Sequence, residues 1–210
     1  MSDKDEESAV RGATTKGSRR RTELLDSAEE ILLESGHEGL TLRAVAARAQ
    51  IRLGHLQYYF PNRADLVGAV LDRTLETSLQ RLAPLLWDVE VTRPAEELVR
   101  LLLAEHRDTR LVRIYAELWA LAGRDEAVGA AVRRFYGSYR NLVFETIRAR
   151  NPMLPEALCA ARAGVLMILI EGASLFRSGI ADRVDAATDA VLIATAAALL
   201  NPDRDPARIE

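Results

Sequence analysis

The sequence has little of several features that define large protein classes. Its 210 residues include one cysteine, Cys159, which excludes an intramolecular disulfide and a cysteine-based metal cluster. The longest apolar run, near residues 163–170, is far shorter than the ~20 residues of a membrane helix, so we predict no membrane partner. The opening "MSDKDEESAV" has acids where a secretory signal carries positive charge. These absences predict a cytoplasmic globular protein.

Signatures of catalysis and cofactor binding are also missing. The three histidines, His37, His55 and His106, form no H-E-x-x-H motif and no other metal-ligand spacing. The sequence has neither a glycine-rich phosphate loop nor a G-x-S-x-G nucleophile motif. We therefore predict no enzymatic activity, no cofactor and no metal site.

Charge is distributed unevenly along a chain whose net charge is only −3. Residues 8–22 carry five cations and no acid, and residues 39–64 carry four arginines and no acid. The segment between them, "ELLDSAEEILLE", is acidic. A local basic stretch of this kind is typical of contact with a nucleic-acid backbone, whereas a helical adaptor that binds no DNA has no need of it.

Apolar residues recur with a period near 3.6 along almost the whole chain, which predicts helices and no strand. Residues 1–18 lack this period and predict a flexible polar and basic tail. Three short helices then precede Pro61, and a longer helix runs from Pro61 or Asn62 to about Leu82, with Pro84 marking its end. Further helices are predicted near residues 94–107, 109–122, 125–150, 155–178 and 185–200.

Two of the short helices, in "TLRAVAARA" and "RLGHLQYYF", are separated by a tight break. This is the form of a helix-turn-helix, whose second helix presents its exposed face to the major groove. Leu56 and Phe60 are predicted to point inward. The groups left outward are His55, Gln57, Tyr58 and the region around Gly54. Gln57 can pair with an adenine edge, but by pattern alone Tyr58 and Tyr59 can equally be core aromatics.

Residues 41–67, "TLRAVAARAQIRLGHLQYYFPNRADLV", resemble the DNA-binding signature of the TetR family of bacterial transcriptional regulators, approximately T-x-x-x-I-A-x-x-A-G-V-S-x-G-x-L-Y-x-x-F-x-x-K-x-x-L. Three positions depart from it. Gln50 stands where glycine usually makes the turn, so it either adopts a left-handed conformation at about 1 kcal/mol or more, or the turn differs. Arg52 replaces the usual capping serine and adds a cation within reach of phosphate. Gln57 replaces the usual tyrosine.

The resemblance implies an all-α fold with an N-terminal three-helix helix-turn-helix head, residues 19–65. A larger helical effector-binding and dimerisation body, residues 66–202, follows. Together with the outward groups of the second short helix, it predicts these DNA-contacting residues: Thr41, Arg43, Arg52, Leu53, Gly54, His55, Gln57, Tyr58, Tyr59 and Arg63. Residues 19–21, all arginine, either add phosphate contacts or have no role.

For the body, the resemblance implies a homodimer through residues of about 155–200 and a ligand pocket within about 94–150. Aromatic residues, only 5% of the chain, cluster in that second range. The predicted ligand-binding residues are His106, Tyr115, Glu117, Trp119, Tyr136, Tyr139 and Glu171. Phe135 and Phe144 are expected to be ordinary core residues. Glu171 follows an apolar run, so its carboxylate needs a partner: Arg177, a cation of a second copy, or a ligand.

The resulting hypothesis is a sequence-specific DNA-binding transcriptional regulator, a repressor released from its operator by a small-molecule effector. Its expected partners are double-stranded DNA with a near-palindromic operator and a second copy of the chain. The alternatives are an activator, a ligand-independent repressor, and a helical adaptor without DNA binding.

Overall fold

A computed structural model describes residues 3–87, 93–104, 108–181 and 185–201, with side chains from Gly17 onward except that of Trp87. Within these ranges the chain forms α-helices and no strand, which confirms the predicted all-α fold. The helices are α1 (Asp3–Gly39), α2 (Leu42–Arg48), α3 (Leu53–Tyr59), α4 (Arg63–Trp87), α5 (Ala95–Ala104), α6 (Thr109–Ala122), α7 (Glu126–Arg150), α8 (Glu156–Arg177) and α9 (Ala186–Leu200).

The chain divides into two compact units, residues 1–74 and 75–210. The sequence predicted a boundary between head and body at residues 65 and 66, and this division lies about nine residues further along the same helix, α4. Residues 1–18 were predicted to form a tail without helical periodicity, whereas α1 begins at Asp3, so residues 3–18 are helical in the structure. The flexibility of this segment stays a prediction.

The first unit is organised around α1. Its buried side chains recur at helical spacing and include Leu24, Ala28 and Leu32, as the apolar period predicted. Gly36 interrupts the helical backbone with φ 65°, a conformation that only glycine adopts without strain. Arg73 of α4 donates to Asp26 at 2.7 Å and to Glu29 at 2.9 Å, which ties α4 to α1.

The sequence predicted that Pro84 marks the end of α4. Instead, the helix continues past Pro84 to Trp87. Proline costs a helix one backbone hydrogen bond and a steric clash. Here the last turn is held by tertiary contacts: Leu86 is buried in the core of the second unit, and its carbonyl oxygen accepts a hydrogen bond from Thr146 Oγ1 at 3.0 Å. Packing therefore outweighs the local preference for a break.

The second unit packs α7 against α6 and α8, and α9 against α5 and α8. Aspartate side chains cap three of these helices at their N-termini, because a carboxylate satisfies the first backbone N–H groups. The capping residues are Asp108 for α6, Asp125 for α7 and Asp185 for α9. The starts of these helices agree with the predicted positions to within one residue.

One face of α8 is buried and the other is exposed and apolar. Cys159, Leu166 and Ile170 are buried in the core, whereas Ile168 has 72% of its surface exposed. By length and composition alone, α8 also qualifies as a helix that could cross a membrane, a property that core helices of soluble proteins share. Helix α8 therefore leaves an apolar face exposed.

Candidate nucleic-acid interface and candidate ligand pocket

The turn between α2 and α3 forms as its sequence indicated. Thr41 caps α2 by accepting a hydrogen bond from Ala44 N at 3.2 Å. Gln50 adopts a left-handed conformation with φ 52°, and Ile51 N then donates to Ala46 O at 2.9 Å, which closes the turn. Arg52 precedes α3 and makes no side-chain cap. Of the two alternatives for Gln50, the structure has the strained glutamine.

Helix α3 has one buried face and one exposed face. Leu56 and Phe60 are 0% and 1% exposed, so they anchor α3 to its unit. Gln57 is exposed, and Tyr58 is 81% exposed, which excludes the alternative that Tyr58 is a core residue. Tyr59 is half-buried, and its ring centroid lies 5.2 Å from that of Tyr58 in an edge-on arrangement. The outward face therefore carries polar and aromatic groups held by apolar anchors.

The remaining predicted DNA-contacting residues differ in how far their side chains are exposed. Leu53 is half-buried, while Thr41, Gly54 and His55 are exposed. The His55 ring centroid lies 5.7 Å from that of Tyr59, so the side chains of α3 support one another. A Cβ added at Gly54 would meet nothing within 4 Å, which shows that open space lies beside the N-terminal end of α3.

Two of the four arginines in residues 39–64 already make contacts within the protein. Arg48 pairs with Glu34 and Glu30 of α1, and this pairing holds the pKa of the Glu34 carboxyl below its usual range. Arg63 donates to Leu40 O at 2.9 Å and to His37 O at 2.5 Å, so its guanidinium is partly committed.

Two arginines of this stretch remain as exposed cations. Arg43 on α2 and Arg52 before α3 take part in no ion pair within the part of the chain that the structure describes. Near the N-terminus, Arg19 and Arg20 pair with Glu23, while Arg21 lies over the Phe60 ring at 5.3 Å from its centroid. The basic surface beside α3 is therefore small and local.

The second unit contains a pocket with an empty volume of ≈ 540 Å³, an upper limit because this volume includes open solvent at the mouth. Its lining is mostly apolar and aromatic, as is usual for small-molecule sites. The described residues that line it are Ser78, Leu82, Leu102, Leu111, Val112, Tyr115, Trp119, Phe135, Tyr139, Ile170, Glu171 and Ser174.

A chain of hydrogen bonds ends on Glu171 of this pocket. Trp119 Nε1 donates to Tyr136 Oη at 3.0 Å, and Tyr136 Oη donates to Glu171 Oε2 at 2.9 Å. Burial raises the pKa of Glu171, and burial together with the nearby Glu171 charge raises the pKa of Tyr136 far above its usual value. Of the partners considered for Glu171, Arg177 is wrong, since it pairs with Asp189 instead.

The predicted pocket residues fall into three groups. Four of them line the pocket: Tyr115, Trp119, Tyr139 and Glu171. Tyr136 is not a lining residue but is hydrogen-bonded to Trp119 and Glu171. Glu117 is half-buried and is not among the lining residues. His106 lies outside the described residues.

The sequence prediction did not include several residues that line the pocket. Phe135, expected to be ordinary core, is buried and also lines the pocket. Ser78, Leu82 and Leu102 come from α4 and α5, and no sequence pattern marks them as lining, because buried apolar residues of core and pocket look alike.

Comparison with known proteins relates the helix-turn-helix to a defined family. Residues 24–70, which include α2 and α3, match the family model described as bacterial regulatory proteins, tetR family. The chain is 39% identical over 57 residues to the HTH-type transcriptional repressor KstR of Mycolicibacterium smegmatis, a match covering 27% of this chain and 28% of that protein.

Two further similarities extend over most of the chain. The crystal structure of the multidrug binding protein EbrR complexed with imidazole is 25% identical with a TM-score of 0.64, covering 86% of this chain and 94% of that one. An uncharacterized HTH-type transcriptional regulator in the dhlA 5′ region of Xanthobacter autotrophicus is 30% identical over 167 residues, 77% of this chain and 81% of that protein. The chain therefore belongs to the TetR family of bacterial transcriptional regulators, with an N-terminal helix-turn-helix as its DNA-binding element.

Proposed function

We propose that the protein is a cytoplasmic transcriptional repressor that binds a near-palindromic operator as a homodimer and is released by a small-molecule effector. The observation that carries this proposal is the outward face of α3, where Gln57 and Tyr58 are exposed above the buried anchors Leu56 and Phe60. An isolated helix face of this width fits the major groove. Repression is supported by the similarity to KstR, which is named a repressor.

The proposed contacts divide into base-reading and phosphate-binding groups. Gln57 offers both a donor and an acceptor to a base edge, and the methyl groups of Leu53 can contact a thymine methyl. Phosphates accept from side-chain N–H and O–H donors and from the exposed cations Arg43 and Arg52, although Arg43 can also read guanine. The further donors are Thr41, His55, Tyr58 and Tyr59. Gly54 allows close approach, and Arg63 contributes through the donors not used by Leu40 and His37.

Dimerisation is supported by the exposed apolar face of α8. Its large members recur at helical spacing, and α9 contributes Val191, which is 66% exposed. The exposed apolar residues of α8 are Leu158, Val165, Ile168, Leu175 and Phe176. Small residues such as Ala161 and Gly172 are interspersed among them, which permits close helix approach. A face of this kind is typical of a helix that packs against a second copy.

Effector binding is supported by the aromatic pocket of the second unit and by the similarity to EbrR, which is named a multidrug binding protein. The lining includes Ser78 and Leu82 of α4, the helix whose first residues belong to the DNA-binding unit. A ligand that displaces this end of α4 would change the spacing of two DNA-binding units. DNA requires about 34–36 Å between half-sites, so a modest change lowers affinity.

DNA binding is tested by measuring affinity for the protein's own upstream DNA across a salt series. Arg43→Ala and Tyr58→Phe are expected to weaken binding, and Arg43→Ala should also lower the salt dependence if it binds phosphate. Arg100→Ala removes an equal charge from the exposed face of α5 and is the matched control. Unchanged binding by both test variants would exclude this contact assignment and would favour the adaptor alternative.

Effector release is tested by screening small molecules for a thermal shift and then adding each binder to the protein–DNA complex. The proposal expects at least one binder to dissociate the complex and to raise expression of a reporter gene behind the operator. Binders that strengthen the complex, or a reporter that rises with the protein itself, would point to the activator alternative.

A further inference from the structure

The chemical class of the effector can be inferred from the polar groups of the pocket. Among the described residues that line it, Glu171 is the one acidic or basic side chain, and it is surrounded by leucine, valine, isoleucine and aromatic groups. Within the same part of the chain, no cation forms an ion pair with Glu171, and its described partner is the neutral hydroxyl of Tyr136. A carboxylate buried with only neutral donors is less stable than one paired with a cation.

The hydrogen bonds around Glu171 all run in one direction. Trp119 donates to Tyr136, and Tyr136 donates to the carboxylate, so Glu171 is the terminal acceptor. An ionised carboxylate has two accepting oxygens with about four lone-pair positions, and the Tyr136 bond occupies one of them. A ligand atom that approaches Glu171 is therefore favoured if it is a donor, and most favoured if it also carries positive charge.

The aromatic lining favours the same kind of ligand. Tyr115, Trp119 and Phe135 form a connected set, with the Tyr115 ring centroid 6.0 Å from Trp119 and 5.8 Å from Phe135. The faces of such rings are electron-rich and attract cations, while their area favours an apolar body. The Oγ of Ser78 is buried without a hydrogen-bond partner among the described residues and provides one further polar contact.

We propose that this pocket takes an apolar ligand bearing one amine, whose ammonium group pairs with Glu171 while its apolar body lies among the aromatic rings. This inference rests on the proposed function, in which the pocket is the effector site. It adds that the effector is cationic, whereas the proposed function is equally compatible with a neutral or anionic effector.

Three probes of nearly equal shape separate these possibilities: 4-phenylbutylamine, 4-phenylbutan-1-ol and 4-phenylbutanoate. Their binding to the full-length protein is measured by calorimetry and by quenching of tryptophan fluorescence, since Trp119 lies in the pocket. We expect the amine to bind at least about tenfold more tightly than the alcohol, as one desolvated charge pair allows. We expect the carboxylate to bind most weakly because it repels Glu171.

The matched variants are Glu171→Gln and Glu156→Gln. The first keeps an oxygen that accepts from Tyr136 but removes the charge, so the amine and the alcohol should bind it equally. The second removes one charge from the exposed start of the same helix and should keep the preference for the amine. The comparison in the unmodified protein stands even if Glu171→Gln folds poorly.

The inference is overturned if the amine binds no better than the alcohol, if none of the three probes binds, or if Glu171→Gln keeps the preference. Its failure is distinguishable from failure of the proposed function. An alcohol or carboxylate probe that binds the pocket and releases the operator DNA would uphold effector release and exclude a cationic effector.

Discussion

The left-handed conformation of Gln50 is a local cost that the sequence carries at the helix-turn-helix. Its φ of 52° is one that a side chain with a Cβ adopts at about 1 kcal/mol or more. The backbone bond from Ile51 N to Ala46 O, together with the buried anchors of α3, holds the turn in this geometry. The strain lies beside the outward face of α3, where the position of the turn sets the position of the helix.

Gln50→Gly is expected to stabilise the protein by about 0.5–1 kcal/mol, because glycine adopts this φ without strain. The free energy of unfolding is measured by urea denaturation. Ala47→Gly, on the exposed face of α2, is the control and is expected to destabilise by a similar amount, since glycine lowers helix stability. If both substitutions changed the free energy of unfolding in the same direction, the assignment of strain to Gln50 would be contradicted.

Glu171 makes the stability of the folded protein depend on pH in the direction opposite to that of most acidic residues. Its pKa in the folded protein is raised above the ordinary 4.5 by burial, so its contribution to stability is fully present below that value. This contribution is lost as the pH rises through the raised pKa. The facing Tyr136 and Tyr139 do not titrate in this window, since burial raises the pKa of each far above its ordinary value.

Glu171→Gln, which cannot ionise, is therefore expected to gain stability relative to the unmodified protein as the pH rises. The measurement is urea denaturation of both proteins at several pH values between about 4 and 8. Glu34→Gln is the control of opposite sign, because Arg48 lowers the pKa of Glu34 and stabilises its charged form. A difference for Glu171→Gln that stays constant or falls with pH would contradict a buried, charged carboxylate.

The positions of the helices were predictable from the sequence because the signals that form a helix are local. The apolar period acts within a few residues, and the structure has helices where this period predicted them, with starts that agree to within one residue for α6, α7 and α9. The end of α4 was predicted wrongly because the contact between Leu86 and Thr146 joins residues 60 positions apart. The predicted set of pocket-lining residues was incomplete for the same reason, since residues distant in sequence, from five helices, form the pocket walls.

The exposed face of α8 carries a prediction about assembly. Ile168→Arg places a charge at the most exposed large apolar side chain of α8, and we expect a monomer at micromolar concentration, because an unpaired charge in a helix interface is strongly destabilising. Light scattering after size exclusion measures the mass. Met153→Arg, at a side chain 94% exposed in the turn before α8, is the control and should leave the proposed dimer intact. A dimeric Ile168→Arg protein would show that copies associate through another surface.

Because the net charge of the chain is −3, we expect its DNA contacts to be confined to a local basic surface. The exposed cations Arg43 and Arg52 lie on and beside the two helices of the helix-turn-helix, while Arg48 is neutralised by α1. The sequence shows the acid-free stretch but not how many of its arginines remain available for a partner. That number depends on acids of α1, 14 and 18 positions away in sequence. One such unit offers few phosphate contacts, so under the proposed function we expect tight binding to need two units on one duplex.

This requirement predicts a strict dependence on operator spacing. Half-sites read by a dimer lie about one helical turn apart on the same face of the duplex. Inserting about 5 bp between them turns one half-site to the opposite face, so affinity should fall to that of a single half-site. Replacing the central base pairs without changing their number is the control and should have a much smaller effect. Gel-shift titrations at fixed salt measure each case, and an affinity that survives the insertion would mean that each DNA-binding unit acts alone.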